Sequence, residues 1–512
     1  MSDLSKALAG LQALSTPAPR VPLPAQNVVK ARPPAPRLDW SAEQSSVIES
    51  DLGRLDVVAL AGTGKTSVLM AYAQRRQRAR WRYLTFSRAL ADQARDTFPV
   101  NVRASTFHAL AHPRFGAPLG SKLNQRFSAD AVRRLVGWPQ FPGWESAVAA
   151  LQQWREGFLA SAAPLPALSQ LPAQAWSWLV ARPGLLEAID GSAGFMRAAE
   201  KLWEATIDPR ATSIDAPGDV SVKLMALAGA EVGADGLLID EAQDMTPCLA
   251  GLLALQKVPT VVVGDPSQNL YAWRSAAQGW VPGPDALGLT GSWRFGDPVA
   301  QLANARLAVL GRPERLTGMK SSSSVRVDEG VLSSGTTCLA RTQAGAMECA
   351  LRAHAQGLSP RWVGKGTLRR LASLVDLALG RASQDPWLAG LASVDEVSKV
   401  ARSAGALEWR AAAKLVSSQD PKGLEQMIHA LQSPTPGDVA VATVHQAKGR
   451  TFDKVRLAKD FRWADPTEEE TRVAYVALTR SAHLELPEVG VGWMSASSSS
   501  PSTAIESLDD GF

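Results

Sequence analysis

Cysteine is scarce in this sequence: Cys248, Cys338 and Cys349 are the three in 512 residues. None has the paired spacing of a zinc or redox motif, which argues against a disulfide framework and a structural metal and fits a reducing compartment. Long uncharged apolar runs are also lacking, so no membrane span and no membrane partner is expected. The first residues hold no compact apolar stretch followed by a cleavage signature, so a secretory leader is not expected. Neither sign of charge is in large excess; a net charge of +5 permits nucleic-acid binding without demanding it. Tyrosine is rare, four against sixteen tryptophans. Indoles fill cores, and they also serve as platforms on which single-stranded bases stack.

At 512 residues the chain is too long for one core, so two or more domains are expected. Residues 1–37, rich in Pro, Ala and Ser with scattered Lys and Arg, read as a flexible basic arm. Order begins near Leu38, where Ser41 and Gln44 have the spacing of a capping box. From Val57 to about residue 115 apolar strands alternate with helices, the grammar of a parallel α/β sheet. Residues 118–214 show helical spacing and no strand signal, as in Ala147–Trp154. Strands return at Gly236–Ile239 and Pro259–Val263. A second α/β pattern follows, with strands at Thr337–Ala340, Val439–Ala442 and Lys454–Leu457. The fold expected is α/β, with two parallel-sheet P-loop domains that each carry a helical insertion. The first domain is 38–117 with 215–288, interrupted by 118–214; the second is 289–355 with 434–490, interrupted by 356–433; a disordered tail occupies 491–512.

The chemistry starts at Ala61-Gly62-Thr63-Gly64-Lys65-Thr66, which follows the apolar strand Val57–Leu60. A strand that runs into a Gly-rich turn and then a helix points backbone N–H groups and a helix dipole at one place, which suits phosphate oxygens. Lys65 would set a point charge on the outer phosphates and the Thr66 hydroxyl would hold Mg²⁺. The first glycine of the usual Gly-x-x-x-x-Gly-Lys-Thr pattern is Ala59 here. A second strand, Leu237-Leu238-Ile239, delivers Asp240 and Glu241 at its carboxyl end, where ligands of parallel sheets sit. Asp240 would bind Mg²⁺ and Glu241 would polarise the attacking water. A third strand ends in Gly264-Asp265-Pro266-Ser267-Gln268, with Tyr271, Trp273 and Arg274 beyond it. Gln268 is placed to report on the γ-phosphate, and the two rings offer stacking surfaces worth ~1–3 kcal/mol per base.

These blocks resemble the UvrD/Rep-type superfamily 1 DNA helicases, and in detail look most like the F-box DNA helicase branch and its phage and bacterial relatives. Leu38–Gln44 is similar to the family's glutamine motif, which implies that Gln44 reads adenine. Tyr83–Ala91 resembles motif Ia, with Phe86 as a DNA-facing ring, and Ala104–Ala111 resembles motif Ib, with Thr106 and His108 at the DNA backbone. Ser292-Trp293-Arg294-Phe295 resembles motif IV, implying Trp293 against adenine and Arg294 on the γ-phosphate. Val439–Asp453 resembles motif V, which implies DNA contacts for Thr443 and His445 and places Gly449 near the nucleotide; Thr451 stands where the family usually has Glu. Glu469–Arg480 resembles motif VI, whose last residue implies an arginine finger at Arg480. The resemblance covers roughly Leu38–Leu486 and is weak inside the two insertions.

What the resemblance implies is an ATP- and Mg²⁺-dependent motor that moves 3′→5′ on single-stranded DNA and opens duplexes at single-strand/duplex junctions, in the cytoplasm of a bacterial or phage-infected cell at the nucleoid. Arg294 and Arg480 lie far along the chain from Lys65, so they would reach the phosphates only across a cleft that ATP closes. Two alternatives are a translocase that displaces proteins with little unwinding and a non-motor scaffold with a degenerate site. The acidic stretch Glu506–Phe512 resembles the partner-binding tip of bacterial single-strand-binding proteins, which would imply a replication or repair partner.

Overall fold

The computed structural model describes residues 39–182, 184–270, 279–363, 368–383, 385–404, 406–432 and 437–488. The basic arm, the acidic tail, Tyr271 and Trp273 lie outside these residues. The chain divides into two units, residues 1–291 with 366–429 and residues 292–365 with 430–512.

In the first unit the strands are Arg54–Ala59 (β1), Trp81–Thr85 (β2), Val102–Thr106 (β3), Gly236–Ile239 (β4), Thr260–Gly264 (β5) and Leu287–Leu289 (β6). They form one sheet in the order β3-β2-β4-β5-β1-β6, and every pairing is parallel. The central strands β4 and β5 are buried along their whole length and read as nearly continuous apolar runs, as strands covered on both faces do. Alternation along β2 separates the two faces: Trp81 and Tyr83 join a core with Val57, Val68, Leu69 and Tyr72, while Leu84 joins the core of the helical insertion. Parallel pairing gathers all six carboxyl ends on one edge.

The first insertion is helical as expected, with its longest helices at Trp144–Ala160 and Gly191–Ile207. Trp154 stacks on Phe158 with ring centroids 5.6 Å apart, and Trp203 meets Phe158 edge-on at 5.0 Å. Trp138 is buried in the same core, so these indoles are spent on packing, as large buried aromatics ordinarily are.

Where the chain passes into the second unit, a two-stranded ribbon is formed by Gly291–Ser292 (β7) and Thr317–Gly318 (β8). The sheet of that unit contains Ser324–Val327 (β9), Thr336–Ala340 (β10), Pro360–Trp362 (β11), Val439–Thr443 (β12), Lys454–Leu457 (β13) and His483–Leu486 (β14), again all parallel, in the order β11-β12-β10-β13-β14-β9. Two features differ from the sequence reading. Residues 356–433 were expected to be a helical insertion of the second domain, yet β11 pairs with β12 as part of the sheet. The helices that follow, Arg369–Ala378, Val394–Ser403 and Leu407–Ser418, group with the first unit instead. The physical reason is an aromatic and polar joint: Trp178 of the first insertion meets Trp387 at 5.8 Å and Trp409 at 6.0 Å, while Arg182 donates to the carbonyl of Ala389 at 2.6 Å and Ser146 to that of Pro386 at 2.9 Å.

Candidate functional site

The carboxyl ends of β1, β5 and β4, which are neighbours in the sheet, carry the phosphate-loop, Gln268 and Asp240–Glu241 segments. Gly62 and Gly64 adopt φ of 80° and 85°, a left-handed backbone that other residues enter at a cost. Gly64 is the N-cap of the helix Lys65–Arg75, and a Cβ there would lie 3.1 Å from Nε2 of Gln44. Ala59 belongs to β1, is fully buried and has no positive φ, so the usual glycine is not required at that point. Ser41 caps the helix Ala42–Glu49 in a capping box with Gln44, and Gln44 Nε2 also donates to the carbonyl of Thr63 at 3.1 Å. That bond ties the glutamine to the loop. The Lys65 ammonium donates to the carbonyl oxygens of Ala59 and Leu60, the latter at 2.8 Å.

Thr66 Oγ1 donates to Asp240 Oδ2 at 2.7 Å, which joins the two expected Mg²⁺ ligands although 174 residues separate them. A hydroxyl and a carboxylate, both hard oxygen donors, are the donor set Mg²⁺ prefers. The backbone N–H of Glu241 donates to Asp240 Oδ1 at 2.9 Å. Burial, and next the charge of Glu241, push the Asp240 carboxyl above its ordinary range, against the hydrogen bonds it accepts. A cation beside it would offset that cost and favour the ionised carboxylate, so the donor set fits the ion. Glu241 has φ of 55°, an uncommon conformation for a non-glycine residue of the kind that collects at functional sites.

Three residues of this cluster were not singled out from the sequence. Tyr83 on β2 donates its hydroxyl to Asp240 Oδ2 at 2.8 Å. Gln243 donates to Glu241 Oε2 and accepts from the backbone N–H of Asp265 at 2.9 Å. Asp265 accepts from Gln268 Nε2 at 2.7 Å. A continuous chain of hydrogen bonds therefore runs from Glu241 through Gln243 and Asp265 to Gln268. It needs Gly264, where a Cβ would come within 2.8 Å of Gln243 Oε1.

Farther along the same edge, β2 leads to Phe86 and β3 to Thr106 and His108. Phe86 is half-buried, its ring centroid 5.3 Å from that of Phe107, so part of the expected DNA-facing ring is spent on packing. Thr106 caps the short helix Phe107–Ala111. His108 Nε2 lies 2.6 Å from Asp219 Oδ1, and this bond raises the imidazole pKa above its ordinary value, with burial acting the other way. Asp219, too, was not singled out from the sequence.

In the second unit, Arg294 donates to the carbonyl of Thr479 at 3.0 Å. Arg480 is buried and donates to the Val476 carbonyl at 2.9 Å, the Arg450 carbonyl at 3.3 Å and Thr479 Oγ1 at 3.2 Å. The two arginines expected at the γ-phosphate thus meet at Thr479. Trp293 beside them is 52% exposed. Thr443 begins the helix Val444–Ala447, which holds the partly exposed His445, and Gly449 follows with φ of 76°. Among the described residues no helix is long and apolar enough to cross a membrane, and no cluster of three or more His, Cys, Asp or Glu could hold a metal.

Comparison with known proteins agrees with this geometry. Residues 45–274 match the family model described as an AAA domain, and residues 438–484 match that of the UvrD-like helicase C-terminal domain. Over these segments the chain is similar to the UvrD-like helicases, and its two all-parallel sheets are consistent with RecA-like P-loop architecture. Within that class it is similar to F-box DNA helicase protein 1 of Schizosaccharomyces pombe, 28% identical over 511 residues, covering 86% of this chain and 56% of that protein. It is also similar to F-box DNA helicase 1 of Gallus gallus, 27% identical over 466 residues, covering 82% of this chain and 44% of the relative. The chain therefore spans about half the length of these relatives.

Proposed function

We propose that this chain is an ATP-hydrolysing motor that moves along single-stranded DNA and separates duplex strands. The observation that carries the reading is the single sheet edge on which Thr66, Asp240 and Glu241 share a network with β2, the strand leading to Phe86, through the Tyr83–Asp240 bond. The loop Ala61-Gly62-Thr63-Gly64 cradles phosphates, Gln44 and Trp293 hold the base, and Gly449 lies close to the nucleotide. Thr66 and Asp240 hold Mg²⁺, which when bound neutralises charge on the phosphates. Glu241 orients and deprotonates the attacking water. Gln268, tied to Glu241 through Asp265 and Gln243, senses the outer phosphate. Lys65, Arg294 and Arg480 stabilise charge that develops on the transferred group.

Thr106, His108, Thr443 and His445 grip the DNA backbone, and Phe86, Tyr271 and Trp273 supply rings to bases. Polarity 3′→5′, action at single-strand/duplex junctions and service in replication, recombination or repair follow the family resemblance. A translocase with little strand separation is the second reading, favoured by helices of the second insertion that pack in the first unit through Trp178. Unwinding of duplexes with 3′ or 5′ tails separates the two, with Lys65→Ala and Glu241→Gln as inactive controls. ATP-dependent opening of the 3′-tailed duplex alone is expected. DNA-stimulated hydrolysis without opening of either duplex would establish the translocase.

A further inference from the structure

The outer strand of the first sheet carries charge that the nucleotide cluster does not use. β3 lies at the sheet edge beside β2, and their register sets Arg82 opposite Arg103 and Leu84 opposite Ser105. In-register residues of parallel strands share a face, so Arg82, Arg103 and Ser105 project to the same side. Like charges directly opposite one another in a sheet are destabilising. Among the described residues neither guanidinium has a hydrogen bond or ion pair. Arg82 Nε is buried with no partner, and so is the hydroxyl of Ser105, a residue 8% exposed. Buried polar groups are rarely left unsatisfied without a functional reason. Burial, and then the positive charge of Arg103, push Arg82 down to about 10, and no carboxylate counters them. The group thus has two forks of N–H donors, a hydroxyl and no negative charge, which is the complement of an oxyanion.

Its position names the source of that anion. Arg103 and Ser105 precede Thr106 on one strand, and at ~3.3 Å per residue Arg103 lies roughly 10 Å from the Thr106–His108 segment. We propose that Arg82, Arg103 and Ser105 form a phosphate site on the outer strand that takes a phosphodiester of the DNA strand held at Thr106 and His108. The site rests on the motor reading, extends the DNA track down the side of the sheet, and explains why a like-charge pair is tolerated there.

The test uses the full chain and its Arg82→Gln, Arg103→Gln and Arg82→Met variants. Binding of a single-stranded oligonucleotide is measured over a range of salt concentrations, and thermal melting is measured with and without inorganic phosphate. Each variant is expected to bind DNA roughly tenfold more weakly at low salt, with the salt slope shallower by ~0.7 for each phosphate that the variant no longer neutralises. Arg82→Met is expected to melt higher than the wild type while binding more weakly, an opposition that a structural role for Arg82 does not produce. Arg103 is exposed, so its variant keeps the test open even where Arg82 variants fold poorly. Unchanged affinity and slope in Arg103→Gln would overturn the site. Phosphate-induced stabilisation of the wild type and not of the variants, with DNA affinity unchanged, would overturn the DNA assignment in favour of a free oxyanion. The wild type's own DNA-stimulated ATP turnover reports on the motor reading separately, so its failure is distinguishable from failure of this site.

Discussion

The hydroxyl of Tyr83 connects the two halves of the first sheet's working edge. It reaches Asp240 from the strand that leads to Phe86, across 157 residues of sequence. A tyrosine in an apolar strand reads as a core ring, and its ring does pack against Phe98 at 4.6 Å, so nothing local betrays the polar contact. Hydrogen bonds to ionised groups contribute ~1.5–3 kcal/mol. Tyr83→Phe is therefore expected to raise the Mg²⁺ concentration for half-maximal ATP turnover by roughly tenfold, measured in a metal titration at saturating ATP. An unchanged titration would remove Tyr83 from the site. Lys65, Thr66, Asp240 and Glu241 were legible because a turn and a strand end set their chemistry within a few residues. Tyr83, Gln243 and Asp219 were not, because their partners are fixed by strand order and by the return of the chain from the insertion. Ala59 shows the reverse case: an apparent departure from the motif becomes neutral once its place inside β1 is known.

At the level of elements, the central buried strands β4, β5, β10, β12 and β13 were readable to within a residue or two, since such strands announce themselves as apolar runs bounded by turns, whereas the outer strands β3, β6, β9, β11 and β14, shorter or more polar, were not read. The fate of the second insertion was not readable, because the rings that hold it, Trp387 and Trp409, find their partner Trp178 far away in sequence. Trp178 is 2% exposed and touches both. Trp178→Ala is expected to cost ~3–5 kcal/mol in denaturant unfolding, whereas the exposed Trp293→Ala should change stability by less than ~0.5 kcal/mol.

The strand-end helix Phe107–Ala111 carries a pH-linked contact. His108 has a raised folded pKa because of Asp219. A histidine raised in the folded state contributes stability that is full below its unfolded value of about 6.5 and is lost as pH rises through the folded value. Melting temperatures should fall across that window in the wild type and fall less in Asp219→Asn. The same slope in both proteins would show that the pair carries no linkage.

The molecule has one all-parallel sheet whose carboxyl edge carries the Thr66–Asp240–Glu241 cluster, and a second all-parallel sheet in the unit where Arg294 and Arg480 meet at Thr479. The class was legible from motif order, because each motif follows a buried strand and the fold turns strand ends into sites. Allocation of the helices between the two units depended on long-range packing that no local pattern records. The central claim, that the nucleotide cluster and the DNA-facing strand ends work as one machine, is tested most directly by ATP hydrolysis with and without single-stranded DNA. Slow turnover that DNA accelerates by at least about tenfold, and that Lys65→Ala abolishes, is the expected result. Turnover that is indifferent to DNA, or that survives in Lys65→Ala, would contradict it.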